Sequence, residues 1–403
     1  MFFDNRFDIL RAKILTYLGQ FARRWAGRCC RRSRPKIESS LYTQEDFEKG
    51  PFVVFYETTR ACDLLCKHCR ACAQPNRHPQ ELTPEQAKQL LEQFASFEKK
   101  PVVVLTGGDP MKRDDIFDLV AHGVGLGLAM AMTPSATPLM NADAVWRLKD
   151  AGLSRLALSL DSVDAETHDA FRGVPGSYAR TLYLLRDARN AGLPIQVNTT
   201  ITNRNFDQVD AMAELLGKLG IVLWSVFFLI PVGRGLTEQR ITAAQYEDVF
   251  ERLFHQSQRQ RYGIKTTEAH HYRRYVLQQQ GDPQRQPGGP PPGRIQRAPL
   301  GVNDGKGVFF VSHTGHVYPS GFMPIDCGKF PDQSVVDVYR NSPLLQSLRN
   351  GDLLKGKCGE CEFRQICGGS RARAYAVTRD PLAAEPDCVY IPKAVKEREL
   401  CLA

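Results

Sequence analysis

Seven of the twelve cysteines in this 403-residue chain fall into two tight spacings, and thiolates are the softest ligands that side chains supply. Cys62-x3-Cys66-x2-Cys69 puts three on one short stretch, and Cys358-x2-Cys361-x5-Cys367-x20-Cys388 puts four near the C-terminus. Three thiolates suit a soft metal centre with one position left open, as on a four-iron cluster whose remaining iron can bind something else. Four are enough to close a cluster, and they would also accept zinc. One zinc ion shared between Cys66-x2-Cys69 and Cys358-x2-Cys361 does not fit, because zinc ribbons keep their pairs about 15 to 20 residues apart. Arg60, Asp63, Lys67, His68 and Arg70 make the first stretch polar, which is no core environment for unligated thiols. Cys72 and Cys327 read as spare thiols, and the adjacent Cys29 and Cys30 have no assigned role.

Such ligands need a rigid mount, and from Pro51 onward short apolar runs alternate with amphipathic segments. Candidate strands are Val53 to Glu57, Val102 to Thr106, Ala129 to Thr133, Arg155 to Leu160, Ile195 to Ile201 and Val222 to Ile230. Helices are expected from Thr83-Pro84-Glu85, near Arg113 to Val124, Asp143 to Ala151, Tyr178 to Ala191 and Phe206 to Leu219, and again around Tyr246 to Gln260. Six strands alternating with helices imply an α/β fold with a parallel sheet, either doubly wound or a partial barrel. In both, chemistry belongs at the carboxyl ends of the strands, where the first cysteine set stands. Val308 to Ser312 and His316 to Pro319 flank Thr314-Gly315 and predict a hairpin opening a smaller C-terminal unit.

Composition narrows the class. With 42% apolar residues the chain can bury a large core, and its cysteine content is too thin for a disulfide scaffold. No run approaches a membrane span and no secretory signal opens the chain, so a reducing cytoplasm is expected. Residues 1 to 36 hold ten Lys or Arg against two Asp, eight of the nine net positive charges. The remainder is nearly neutral and has no basic stripe interleaved with aromatics, which argues against nucleic acid. Within that arm Phe7, Leu10, Ile14, Leu18, Phe21 and Trp25 recur at helical spacing, a pattern that packs on its own domain or makes weak contact with anionic lipid. The chain therefore divides into a basic amphipathic extension (1–50), a core domain (51–262), a linker and connecting loop (263–306) centred on the Pro/Gly-rich Gln278 to Pro299, and a C-terminal domain (307–403).

Glu57-Thr58-Thr59-Arg60-Ala61-Cys62-Asp63-Leu64-Leu65-Cys66-Lys67-His68-Cys69 resembles the signature of the radical S-adenosylmethionine (SAM) superfamily, and Thr106-Gly107-Gly108-Asp109-Pro110 resembles its glycine-rich loop. The cysteine-rich tail, through Cys367-Gly368-Gly369-Ser370-Arg371-Ala372-Arg373, is similar to SPASM-type auxiliary-cluster domains, most of all in the haem and haem d1 biosynthesis branch. The resemblance spans about residues 51 to 392.

It implies a partial (β/α)6 TIM-like barrel with a smaller iron-sulfur domain. It implies a [4Fe-4S] cluster on Cys62, Cys66 and Cys69 whose open iron binds SAM, and reductive cleavage of SAM to a 5′-deoxyadenosyl radical. It also implies one auxiliary [4Fe-4S] cluster on Cys358, Cys361, Cys367 and Cys388. Expected SAM contacts are Gly107, Gly108, Asp109, Ser135, Ser159, Asp161, Asn198, Pro231 and Val232, all at or near the carboxyl ends of strands, with the two glycines letting backbone approach the ligand. Asp109 stands where glutamate is commoner in the family. Arg371, where the family often has a further cysteine, and Ser320, near another, remove two ligands of a second auxiliary cluster. The implied substrate is a tetrapyrrole-type or related cofactor precursor, its carboxylates met by Arg234, Arg371 or Arg373. The alternatives are a maturase acting on a ribosomally made peptide, or a non-catalytic iron-sulfur electron-transfer protein. An electron donor such as flavodoxin or ferredoxin is the implied partner, and no catalytic side chain is singled out.

Overall fold

Thr83 opens the first long helix with a full capping box: its hydroxyl accepts from the Gln86 amide, while the Gln86 side chain accepts from the Thr83 amide. Pro84 occupies the first turn, and Leu90, Leu91 and Phe94 at helical spacing are fully buried, each contributing about 1.5–3 kcal/mol. The same logic repeats along the computed structural model, which describes residues 42–280, Pro299 and residues 301–402.

After a short helix α1 (Gln44–Lys49), the chain runs β1 (Val53–Thr59), α2 (Pro84–Ala95), β2 (Val102–Gly107), α3 (Ile116–Gly125), β3 (Ala129–Met132), α4 (Ala142–Asp150), β4 (Arg155–Ser159), α5 (Ala165–Arg172), α6 (Ser177–Asn190), β5 (Ile195–Ile201), α7 (Val209–Leu219), β6 (Leu223–Phe228), α8 (Ala243–Arg259), β7 (Gly263–Thr267) and α9 (His271–Gln280). Strands β1 to β7 neighbour one another in chain order and every pair is parallel. Beyond them lie β8 (Asn303–Asp304), β9 (Gly307–Val311), β10 (His316–Tyr318), β11 (Gly328–Lys329), α10 (Val335–Asn341), α11 (Pro343–Arg349), the single turn α12 (Gly356–Gly359), α13 (Arg371–Thr378) and α14 (Lys393–Leu402).

The two faces of the sheet differ. Val54, Tyr56, Val103, Leu105, Leu156, Leu158, Val197, Trp224 and Val226 have no exposure and pack under the helices. Their alternates Phe55, Val104, Ser159, Gln196, Asn198, Thr200, Phe227, Lys265 and Thr267 are half-buried. A parallel sheet sealed on both sides would be apolar on both. Here the inner face keeps polar groups and access to water, as the concave wall of a partial barrel does.

Three expectations change. The stretch 263–306 is not a linker throughout, since Gly263–Thr267 pairs parallel with β6 as a seventh strand and α9 follows. Its lone aliphatic residue, Ile264, hid the alternation; residues 281–298 lie outside the described residues. The hairpin of β9 and β10 does form, but it does not open a detached unit: β9 pairs parallel with β1, Val53 to Val308 through Tyr56 to Val311, extending the same sheet. Residues 43–49 of the N-terminal extension fold onto the body, where Phe47 is buried and its carbonyl accepts from Tyr339 at 2.7 Å. The basic arm with Cys29 and Cys30 lies outside the described residues. Among the described residues, no helix is long and apolar enough to cross a membrane.

Candidate active site

Beyond β1 the chain makes a loop closed at its neck, where the Cys62 amide donates to the Gln74 carbonyl at 2.7 Å and the Gln74 amide to the Arg60 carbonyl at 3.0 Å. The loop is tied to the end of α5 by Leu65 N to Arg172 O (3.1 Å) and Lys67 N to Phe171 O (2.9 Å). Arg234, at the end of β6, clamps its far side. Its amide donates to the Cys69 carbonyl at 3.0 Å, and its guanidinium donates to the carbonyls of Cys66 (2.9 Å) and Ala73 (3.3 Å). Cys62 and Cys66 are buried with Leu64 and Ala73, and Cys69 packs on them, so the three thiols share one small apolar nest.

Each sulfur also has a polar neighbour. Cys62 Sγ is 3.3 Å from the Leu64 amide and 3.3 Å from the Ser135 hydroxyl, Cys69 Sγ is 3.5 Å from the Ala73 amide, and the Arg172 guanidinium is 3.7 Å from Cys66 Sγ. Burial pushes the Cys62 thiol up to about 11 and Cys66 in the same direction, so a thiolate here would be favoured by a bound cation. Donors to sulfur are what tune an iron-sulfur centre, so the nest fits three ligands of a cluster. His68 is half-buried and stacked on Phe171 at 4.1 Å, and desolvation drops its pKa to about 3.

Arg172 depends on Asp161. The carboxylate takes Arg172 at 2.6 Å and the Thr200 amide at 2.9 Å. Burial pushes this carboxyl up, but its charged neighbours, Arg172 foremost, outweigh that and hold it below its ordinary value. Asp161 therefore sits behind Arg172, occupied, rather than open to a ligand. Arg172→Met leaves that carboxylate buried and unpaired, and urea unfolding is expected to show a loss of about 3–5 kcal/mol. Asp161→Leu with Arg172→Met should recover most of it.

The two glycines of the next loop are required by a close backbone neighbour. A Cβ on Gly107 would stand 2.3 Å from the Thr59 carbonyl oxygen, and one on Gly108 2.4 Å from that of Ala61. The loop instead lies flat on the cysteine loop's root, with Gly108 N donating to Thr59 O at 2.8 Å and Asp109 N to Ala61 O at 2.7 Å. Asp109 is fully buried; its carboxylate accepts from the amides of Met111 and Ser135 and, at 2.7 Å, from the Thr137 hydroxyl. Its reach is thus spent on fixing Ser135, which touches Cys62. Ser159 and Asn198 are register partners at the top of the inner wall. Pro231 and Val232 precede Gly233, whose φ of +56° and approach to the Cys69 carbonyl (2.5 Å from a would-be Cβ) again exclude a side chain.

The second cysteine set faces one cavity, lined by all four thiols with His271, Arg274 and Lys357. Cys358 Sγ accepts from the Glu385 amide at 3.3 Å and Cys367 Sγ from the Gly369 amide at 3.4 Å. Burial pushes Cys361 up to about 11 and Cys367 up to about 12. Among the described residues no three ligating side chains draw together as around a single ion. Cys72 is exposed, and Cys327 packs against the main core, outside this cavity.

All three arginines expected to meet substrate carboxylates make bonds within the protein, although Arg234 Nη2 and Arg371 Nε and Nη2 are buried without a hydrogen-bond partner. Arg234 holds the cysteine loop. Arg371 donates to the carbonyls of Pro381 and Ala383, and Arg373, with no exposure, pairs with Glu385 at 3.1 Å and Asp387 at 3.2 Å. Each serves as a strut whose absence would leave carbonyls or carboxylates unpaired. What sequence reasoning missed is Arg172, and also Arg70, which follows Cys69 and joins Glu57 at 2.9 Å, with His313 on the other oxygen at 2.8 Å. Nothing in the sequence links residues so far apart; only the fold does.

A sequence model of the radical SAM superfamily matches residues 56–216, which hold the cysteine loop and the glycine loop. An AdoMet-dependent heme synthase of Nitratidesulfovibrio vulgaris is 36% identical over 353 residues, covering 87% of this chain and 95% of its own. One from Methanosarcina barkeri is 36% identical over 343 residues, covering 85% and 97%. Among solved structures, Streptococcus suis SuiB bound to the precursor peptide SuiA aligns at a TM-score of 0.65 and 16% identity, over 95% of this chain and 90% of that one, a likeness of fold.

Proposed function

The chain belongs to the radical SAM superfamily, in the family of the AdoMet-dependent heme synthases, and we propose that it uses SAM to modify a tetrapyrrole-type precursor bearing carboxylate side chains. The observation that carries the reading is the three-thiol nest at the end of β1, one ligand short of a closed cluster. Cys62, Cys66 and Cys69 would hold a [4Fe-4S] cluster with one iron open to SAM, and that group would supply the chemistry of reductive SAM cleavage.

The protein's share is positional. Arg234 and the neck at Cys62 and Gln74 fix the loop, Ser135 and Arg172 stand beside two of its sulfurs, and Gly107 and Gly108 let the next loop lie against its root. The half-buried inner wall bounds a space from which a bound substrate would exclude water. In the same reading Cys358, Cys361, Cys367 and Cys388 hold one auxiliary cluster, Arg274 and Lys357 at its cavity offset its negative charge, and a flavodoxin- or ferredoxin-type protein delivers the electron.

Anaerobically reconstituted and reduced chain, given SAM and a tetrapyrrole with free carboxylate side chains, is expected to release 5′-deoxyadenosine together with a tetrapyrrole of changed mass. An unchanged tetrapyrrole alongside a modified peptide would replace this reading with that of a peptide maturase.

A further inference from the structure

Along β1 to β7 the inward-facing titratable side chains are Glu57, Arg155 and Lys265. Glu57 is taken on both oxygens by Arg70 and His313. That leaves two cations on the inner wall with no counter-charge. Arg155 has one long hydrogen bond, Nη1 to Gln196 Oε1 at 3.4 Å, and among the described residues neither it nor Lys265 has an ion pair.

The two face a common space although three strands apart. Register puts Ser159, Asn198, Ser225 and Lys265 in one row on the inner face, while Arg155 stands four residues below Ser159 on the same face of β4. Burial first, then the charges of Arg155 and Arg273, push the Lys265 ammonium down to about 8. Arg273 is committed elsewhere, donating to the Ile366 carbonyl beside Cys367 at 3.0 Å. Two half-buried cations on one wall, each without a counter-charge, repel each other and do nothing for the fold. An anion between them relieves both the repulsion and the desolvation, and the hydroxyl and amide groups of the row can hydrogen-bond its oxygens.

We infer that Arg155 and Lys265, the two inner-wall cations without an ion pair among the described residues, form the carboxylate anchor of the substrate site. This rests on the tetrapyrrole reading, and it adds which residues hold the acid side chains.

The test compares binding of a free-acid tetrapyrrole with that of its methyl ester, by absorbance titration of the cluster-loaded protein. The native chain is expected to prefer the acid by about tenfold to a hundredfold. Arg155→Met and Lys265→Met should each bring that ratio towards one, and Lys265→Arg should keep it. Removing an unpaired half-buried cation should not lower the melting temperature of the ligand-free protein. A ratio unchanged in both Met variants overturns the anchor and leaves the functional reading standing. So does a fall of several degrees in melting temperature, which would make these residues structural. So does weakened SAM binding with the ratio intact, which would give them to the cofactor. If the native chain binds neither form, the functional reading itself fails and takes the anchor with it.

Discussion

Alanine at Cys62, Cys66 and Cys69 together yields a folded chain that keeps about four irons and releases no 5′-deoxyadenosine above background when reduced with SAM. The reason lies in the nest. These three are the thiols that share one apolar environment at the carboxyl end of β1, and burial pushes Cys62 and Cys66 towards the neutral thiol. The loop should keep its shape without them, because the bonds that hold it run through backbone groups of Cys62, Gln74, Arg172 and Arg234 rather than through sulfur. Undiminished SAM cleavage in this variant would remove the assignment altogether.

The second large effect concerns iron content. Native reconstituted chain is expected to carry about eight irons, in two four-iron clusters, and the chain with alanine at Cys358, Cys361 and Cys367 about four. That variant should still cleave SAM reductively, since the open iron belongs to the other cluster. About four irons with one zinc in the native chain would show that the four thiols converge on a single ion; about twelve would require a third cluster. Cys72, exposed, and Cys327, in the main core, are poorly placed to build one.

How much of this was legible beforehand follows from where the information lies. The six strands and their helices show in the sequence because each carries its own alternation and caps, as at Thr83 and Thr242. β7 does not, because Gly263-Ile264-Lys265-Thr266-Thr267 offers the helices one aliphatic side chain and a threonine, with Lys265 and Thr267 on the inner wall. Helix α5 is equally quiet, with only His168 and Phe171 buried, yet it delivers Arg172 to Cys66.

The two cysteine groups were legible as spacings, since each is close in sequence. The charges around them were not. Arg70 finds His313 through Glu57, Asp161 finds Thr200, and Arg373 finds Glu268 and Glu385, partners set by the pairing of β1 with β9 and by the packing of α13, which no local pattern encodes. The same holds for the glycines. A pair at a strand end reads as a ligand approach, and only the neighbouring strand shows that the backbone of Thr59 and Ala61 needs the space.

The central claim is that the first cluster has one iron free for SAM. Iron-57 Mössbauer spectroscopy on chain carrying alanine at Cys358, Cys361 and Cys367 isolates that cluster. On addition of SAM, one iron in about four is expected to change its environment while the other three keep theirs. A spectrum unmoved by saturating SAM, with the cluster fully assembled, would contradict the account.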